Sequence, residues 1–157
     1  MKKFELTAEF VTNVFGKKLF RIKALVAFGD VEKGELGGFI EKEDNLSHDG
    51  NAWVYGNARV SGNARVSGNA QVSGDARVYG NADYAVVKGF GRCFRTTTFF
   101  RCKDKILRVQ CGCFYGDLAQ FREIVKKTHG DSKYAKEYLA IADLMELHFS
   151  DECGGEQ

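Results

Sequence analysis

Between Gly50 and Asp83 the chain repeats one six-residue unit with little variation. Gly-Asn-Ala-Trp-Val-Tyr from Gly50 is followed by Gly-Asn-Ala-Arg-Val-Ser from Gly56 and again from Gly62. Gly-Asn-Ala-Gln-Val-Ser starts at Gly68, Gly-Asp-Ala-Arg-Val-Tyr at Gly74 and Gly-Asn-Ala-Asp at Gly80. One aliphatic and one small residue per unit fit a parallel β-helix of hexapeptide rungs. With the aliphatic as position 1, that position holds Val54, Val60, Val66, Val72 and Val78. Position 5 holds Ala52, Ala58, Ala64, Ala70, Ala76 and Ala82. Both are expected to point inward, Val filling the interior and Ala fitting where the wall bends. Gly and Asn between them suit the turns, since both tolerate positive φ. Three hexads close one triangular coil, so residues 18 apart stack. His48 falls at position 1 of the first rung, where an aliphatic is expected. Ile40 and Leu46 fall at position 5 of two weaker hexads reaching back to Leu36.

A short solenoid has open ends, and unpaired backbone and bare core there need caps. Residues 1–35 supply one. Phe4 and Leu6, then Phe20, Ile22 and Ala24, alternate with polar residues, and Gly16-Lys17-Lys18 makes the turn of a hairpin. The rungs occupy residues 36–87. Residues 88–116 are a second, β-type cap, with segments at Thr96 to Arg101 and Ile106 to Phe114. The period then switches to that of a helix at Leu118, Phe121, Ile124 and Val125. Asp117 and Gln120 have capping-box spacing, and Gly130 ends the helix. A second helix runs from about Ser132 to Phe149, with Tyr138, Ile141, Met145 and Leu147 expected to pack. Residues 117–150 thus form a helical hairpin, and 151–157 read as a disordered tail. The fold class is mainly β: a short parallel β-helix of hexapeptide repeats with an N-terminal hairpin cap, C-terminal β-segments and two α-helices.

Formal charge is +2 over 157 residues, too small to argue for nucleic acid by itself. No apolar run is long enough to span a membrane, and the N-terminus lacks the apolar centre of a signal peptide. Five cysteines with no secretion signal read as free thiols in a reducing cytoplasm, the expected location. Cys93, Cys102, Cys111 and Cys113 lack the Cys-x-x-Cys pairing of zinc sites and read as buried thiols, with a zinc site on the cap they share as the alternative; no metal and no cofactor is expected.

Stacking sorts the outward side chains into three faces. Trp53 lies over Gln71; Arg59 lies over Arg77 with Tyr55 and Ser73; Arg65 lies over Asp83 with Ser61 and Tyr79. Two stacked arginines repel unless an anion or a carboxylate lies between them. Tyr55, Arg59 and Arg77 are therefore a candidate phosphate or small-anion site; a solvated polar face or a trimer contact is the simpler explanation, as for most surface charges. The segment from Lys88 to Arg108 interleaves Lys88, Arg92, Arg95, Arg101, Lys103, Lys105 and Arg108 with Phe90, Phe94, Phe99 and Phe100, and Asp104 is its one acidic residue. Arg92, Arg95 and Arg101 join the ligand candidates, because cations among aromatics hold nucleotides and RNA by charge and stacking. The bland alternative is a cap with core phenylalanines and solvated cations.

The stretch Gly34-Glu35-Leu36-Gly37-Gly38-Phe39-Ile40-Glu41, then Asn45-Leu46-Ser47 and the Gly-Asn-Ala repeats, resembles one family. It comprises hexapeptide-repeat proteins of enterobacteria, phages and prophages, often labelled acyltransferases. The tail, with Gly112-Cys113-Phe114-Tyr115-Gly116 and Thr128-His129-Gly130-Asp131, looks like an ending common in phage proteins. The resemblance implies a left-handed parallel β-helix. Self-association, with a homotrimer expected, would cover its flat side walls, with Trp53 and Tyr55 as candidate contacts. Acyltransferases of this class use a histidine near a loop that interrupts the rungs. Here no loop interrupts them, and His48, beside Ser47, Asp44 and Asp49, is the one histidine on the coil. The leading expectation is a non-catalytic phage-type binding protein. It would antagonise a host defence, by sequestering a nucleotide signal or blocking a nucleic-acid-handling complex in the host cytoplasm. An acyl-CoA-dependent acyltransferase based on His48 and a structural oligomerisation module are the alternatives.

Overall fold

The computed structural model describes residues 2–91, 95–112 and 114–150. Arg92, Cys93, Phe94, Cys113 and the expected tail at 151–157 lie outside them. In the repeat, β4 (Trp53–Val54) pairs in parallel with β6 (Gln71–Val72), and β5 (Arg59–Val60) with β7 (Arg77–Val78). Val54 sits opposite Val72 and Val60 opposite Val78, one 18-residue coil apart. The position-1 valines are fully buried, as are Ala52, Ala58, Ala70 and Ala76, and together they form the core. The chain is mainly β and its centre is a β-solenoid.

The first coil is longer than the hexad count predicts. β3 (Leu36–Ile40) lies on β5 with Ile40 opposite Val60, and a single bridge sets Leu46 opposite Val66, both 20 residues apart. Ile40 and Leu46 therefore stack on the valines, at position 1 and not position 5. Two residues beyond one rung's need lie between Leu46 and Val54, which takes His48 out of position 1. The Gly-Gly-Phe-Ile-Glu and Asn-Leu-Ser blocks hold this coil in place. A Cβ on Gly38 would come within 2.5 Å of the Ala58 carbonyl oxygen. Asn45 is fully buried; its Oδ1 accepts from the Glu41 and Lys42 amides, and its Nδ2 donates to the carbonyls of Gly62 and Ala64. Glu41 Oε1 accepts from the Gly62 amide. Every polar atom of the buried amide has a partner, as burial demands.

The N-terminal hairpin continues one wall. β1 (Phe4–Thr12) and β2 (Lys18–Ala24) extend that sheet in the order β1-β2-β3-β5-β7. The turn runs from Asn13 to Lys17 around Gly16 at φ 80°, and Lys18 belongs to β2. Trp53 was expected on an outer face as a subunit contact; it is fully buried. Phe4 and Phe28 stand edge-on against its indole, at centroid distances of 6.4 and 5.3 Å. The cap covers this ring, and Gly37 clears space for it, since a Cβ there would lie 2.7 Å from the indole Cζ2.

At the other end β8 (Tyr84–Phe90), β9 (Arg95–Arg101), β10 (Leu107–Cys111) and β11 (Phe114–Asp117) form an antiparallel sheet in the order β11-β10-β9-β8. The segment predicted as one strand from Ile106 to Phe114 is two, parted at Gly112, whose φ of 60° turns the chain. β9 is buried on both faces. Phe100 closes the solenoid core, whereas Phe99 faces the helices. α1 (Leu118–His129) starts at the Asp117–Gln120 capping box and stops at Gly130. α2 (Lys133–His148) is capped by the Ser132 side chain. Leu147, expected to pack, is 67% exposed, because the buried stripe of α2 runs through Ala135, Tyr138, Ile141, Ala142 and Met145. Among the described residues no helix is long and apolar enough to cross a membrane.

Candidate functional site

The in-register wall β2-β3-β5-β7 sets one row of outward residues side by side: Arg21, Phe39, Arg59 and Arg77. Arg21 is committed at the N-terminal end of this row. Its Nε pairs with Glu9 at 3.0 Å, its guanidinium lies over the Phe39 ring, and it donates to the Gly37 carbonyl. Arg59 and Arg77 have no carboxylate partner among the described residues. Arg77 donates to the carbonyls of Ala76 and Asp75. Burial, and then the like charge of Arg59, hold its guanidinium below the ordinary arginine value. Two adjacent guanidiniums with one sign of charge attract an anion to the space above them.

The β9–β10 turn brings further cations to the same place. Arg59, Arg77, Arg101, Lys103 and Lys105, with Tyr79 and Asp83, line one open groove of about 840 Å³. Arg101 Nε reaches Asp83 at 3.4 Å, and its other nitrogen donates to the Phe149 carbonyl, so Asp83 is offset within the groove. Asp104, the acidic residue of this turn, is held away from the lysines. It makes a bidentate pair with Arg108 at 3.0 and 3.2 Å and accepts from the Ile106 amide. Lys105 is the one non-glycine residue at positive φ among the described residues, at 68°. Such a conformation persists only where its surroundings fix it, and here the Lys105 amide donates to the Cys102 carbonyl. The stiff turn thus presents Lys103 and Lys105 with little to neutralise them. The far rim is Thr12, Asn13 and Val14 of the N-terminal hairpin.

The structure unites Arg59, Arg77 and Arg101, which sequence reasoning drew from two separate segments. It parts Tyr55 and Arg95 from them. Both line a smaller cleft of about 240 Å³ with Asp30, Asn51, Asn69 and Gln71. Tyr55 follows β4, on the wall next to the arginine row; Gln71 hydrogen-bonds its phenol, and burial raises its pKa. Tyr55 is therefore not on the Arg59/Arg77 face. Arg92 lies outside the described residues. Asp83, expected beneath Arg65, instead accepts from the Tyr79 amide and pairs with Arg101. Sequence reading missed Tyr79 and the hairpin rim as parts of the groove. Only the pairing of distant segments could reveal them.

His48 is at the seam between hairpin and coil. Its ring stacks on Phe4 at 4.2 Å. Nδ1 accepts from the Lys3 amide at 3.0 Å, which leaves the proton on Nε2, 2.8 Å from Glu43 Oε1. Ser47 Oγ accepts from the Asp49 amide, a local turn bond and not part of a relay. Nδ1 thus docks the N-terminal cap onto the coil, and Nε2 is held by a carboxylate of the coil itself. Cys102 is buried with its Sγ 3.9 Å from the Tyr115 hydroxyl, and Cys111 is half-buried beside the Thr97 hydroxyl. Among the described residues no group of three His, Cys, Asp or Glu side chains converges as metal ligands would.

Residues 52–68, 58–74 and 70–82 match the family model described as the YdcK beta solenoid repeat. The repeat is that of a β-solenoid. The match spans residues 52–82 and leaves the first coil, both caps and the β9–β10 turn outside it. No curated protein matches the chain.

Proposed function

We propose that this chain is a binding protein whose groove takes a phosphate-bearing ligand of nucleotide chemistry. The observation that carries this reading is the convergence of Arg59, Arg77, Arg101, Lys103 and Lys105 around one space whose acidic member, Asp83, is already paired. Cations arranged this way favour phosphate, through charge-assisted hydrogen bonds from guanidinium and point charge from lysine. On this reading the solenoid is a rigid wall that spaces the arginines across 18-residue coils, of the left-handed hexapeptide type that the resemblance of its repeats implies. The protein acts by sequestration, as a phage- or prophage-type antagonist of a host process that depends on nucleotides or nucleic acid. The likeness of its tail to phage proteins supports that role, and homotrimer formation belongs to the same proposal. The engagement of both His48 nitrogens favours binding over histidine-based acyl transfer.

Isothermal titration of the purified chain with a nucleoside triphosphate and with inorganic pyrophosphate tests the reading. Saturable binding is expected, weakened at least tenfold in Arg59→Ala and Arg77→Ala. Equal affinity in the wild type and both variants, or no heat with either probe, would overturn it.

A further inference from the structure

The tip of the N-terminal hairpin shows two apolar side chains to water. Val14 is 90% exposed and Phe15 is 77% exposed. This is not a slack loop. Asn13 Oδ1 accepts from the amides of Phe15 and Lys17, and the Asn13 and Gly16 amides close the turn onto the carbonyls of Lys17 and Asn13. A rigid turn that holds an aromatic ring in solvent has no folding reason to do so; a polar residue would serve the turn equally well. Its place gives the reason. Thr12, Asn13 and Val14 form the rim of the basic groove, and Phe15 is the next residue.

Resting on the reading of that groove as a phosphate site, we infer that its ligand is a single-stranded nucleic acid. The sugar-phosphate backbone lies along Arg59, Arg77, Lys103 and Lys105, and a base stacks on Phe15. Three features select a strand over a lone nucleotide. The cations come from three segments, β5, β7 and the β9–β10 turn, and the four of them exceed what a single phosphate group engages. The groove is open, as a strand that enters and leaves requires. The exposed Phe15 ring, one residue beyond the groove's lining, offers the sequence-tolerant stacking platform that single-strand binders combine with a charged channel. An anionic membrane fits less well, because the cations line a concavity that a flat bilayer cannot enter. A duplex fits less well too, because its bases are already stacked and leave Phe15 without a partner.

Fluorescence anisotropy with a labelled single-stranded ten-nucleotide RNA and its DNA counterpart tests this, beside nucleoside triphosphate titration of the same proteins. The oligonucleotide is expected to bind at least tenfold more tightly than the triphosphate. Phe15→Ala should weaken the oligonucleotide about five- to a hundredfold, leave the affinity for inorganic pyrophosphate, which has no base to stack, within twofold, and keep the wild-type melting temperature. Phe15→Tyr should restore binding. If the triphosphate binds but Phe15→Ala leaves the oligonucleotide unaffected, or if the two ligands bind equally, the strand inference fails and the groove reading stands. If neither binds, both fail. Flotation with phosphatidylserine vesicles completes the test: vesicle binding lost in Phe15→Ala, without oligonucleotide binding, would replace the strand with a membrane surface.

Discussion

Lys3 is the residue whose environment most departs from what its chemistry prefers. Its side chain is almost wholly buried, at 3% exposure, with the ammonium 2.8 Å from the Ala52 carbonyl and over the Phe28 ring. Burial lowers its pKa from 10.5 to about 8, against the opposing pull of Asp49. Between these two values the unfolded chain holds a proton that the folded chain has released, so stability rises with pH across that window. Below about pH 8 the residue is charged in both states and contributes no slope. Tyr115 acts oppositely above pH 10. Its folded pKa is raised to about 12 by burial, so the unfolded chain loses its proton first and stability falls. Thermal unfolding of wild type and Lys3→Met, with thiols kept reduced, separates the two. The wild type should gain stability relative to the variant from pH 8 to 10, while the Tyr115 contribution cancels. Parallel profiles would show that Lys3 keeps its ordinary pKa in the fold.

β9 is the element on which the architecture turns. Successive residues serve different cores: Thr98 accepts from the Gln71 amide on the solenoid side, and Phe99 meets Phe121 on the helical side. Phe100 then closes the coil stack. Removing that ring leaves a cavity at the end of the coil core that the rungs cannot collapse to fill, so Phe100→Ala should cost about 3–5 kcal/mol. Urea unfolding measures it, and a loss below about 1 kcal/mol would mean that the coil end is closed by something else. A strand like β9, apolar on both faces, was legible as β but not as shared, because alternation identifies one buried face and this strand has two. The rungs were legible from Val and Ala alone. The first coil was not, because its two extra residues near His48 leave no mark in a sequence whose phase is counted backwards from the repeat. The helix ends were readable because Asp117, Gln120 and Ser132 act on their own backbone. The groove was half readable: Arg59 and Arg77 follow from coil period, but their meeting with Lys103, Lys105 and the hairpin depends on how the caps fold back. That depends on contacts distant in sequence.

Two hydrophobic cores meet across one strand, and this decides how the whole molecule unfolds. The first core holds the coils and the N-terminal cap, with Trp53 at its centre; the second holds α1, α2 and the outer face of β9. Solenoids divide into units coupled only to their neighbours, so a short one with unlike ends can lose an end separately. Here the coupling is strong. β9 contributes to both cores, the Lys103 amide donates to the Asp75 carbonyl, and Ser73 Oγ donates to Gln110, so opening either core exposes the strand that seals the other. The chain also carries its own pair of reporters. The single tryptophan reads the hairpin end, and the helices read the opposite end. Urea unfolding followed by tryptophan fluorescence and by helical circular dichroism should give superimposable transitions, the sign of a two-state unit. In Phe100→Ala the helical transition should move to lower urea before the fluorescence does, since the variant loosens the junction while Phe4 and Phe28 still enclose Trp53. Separate midpoints already in the wild type would mean that β9 is held by one core alone and that the cations of the β9–β10 turn are not fixed relative to Arg59 and Arg77.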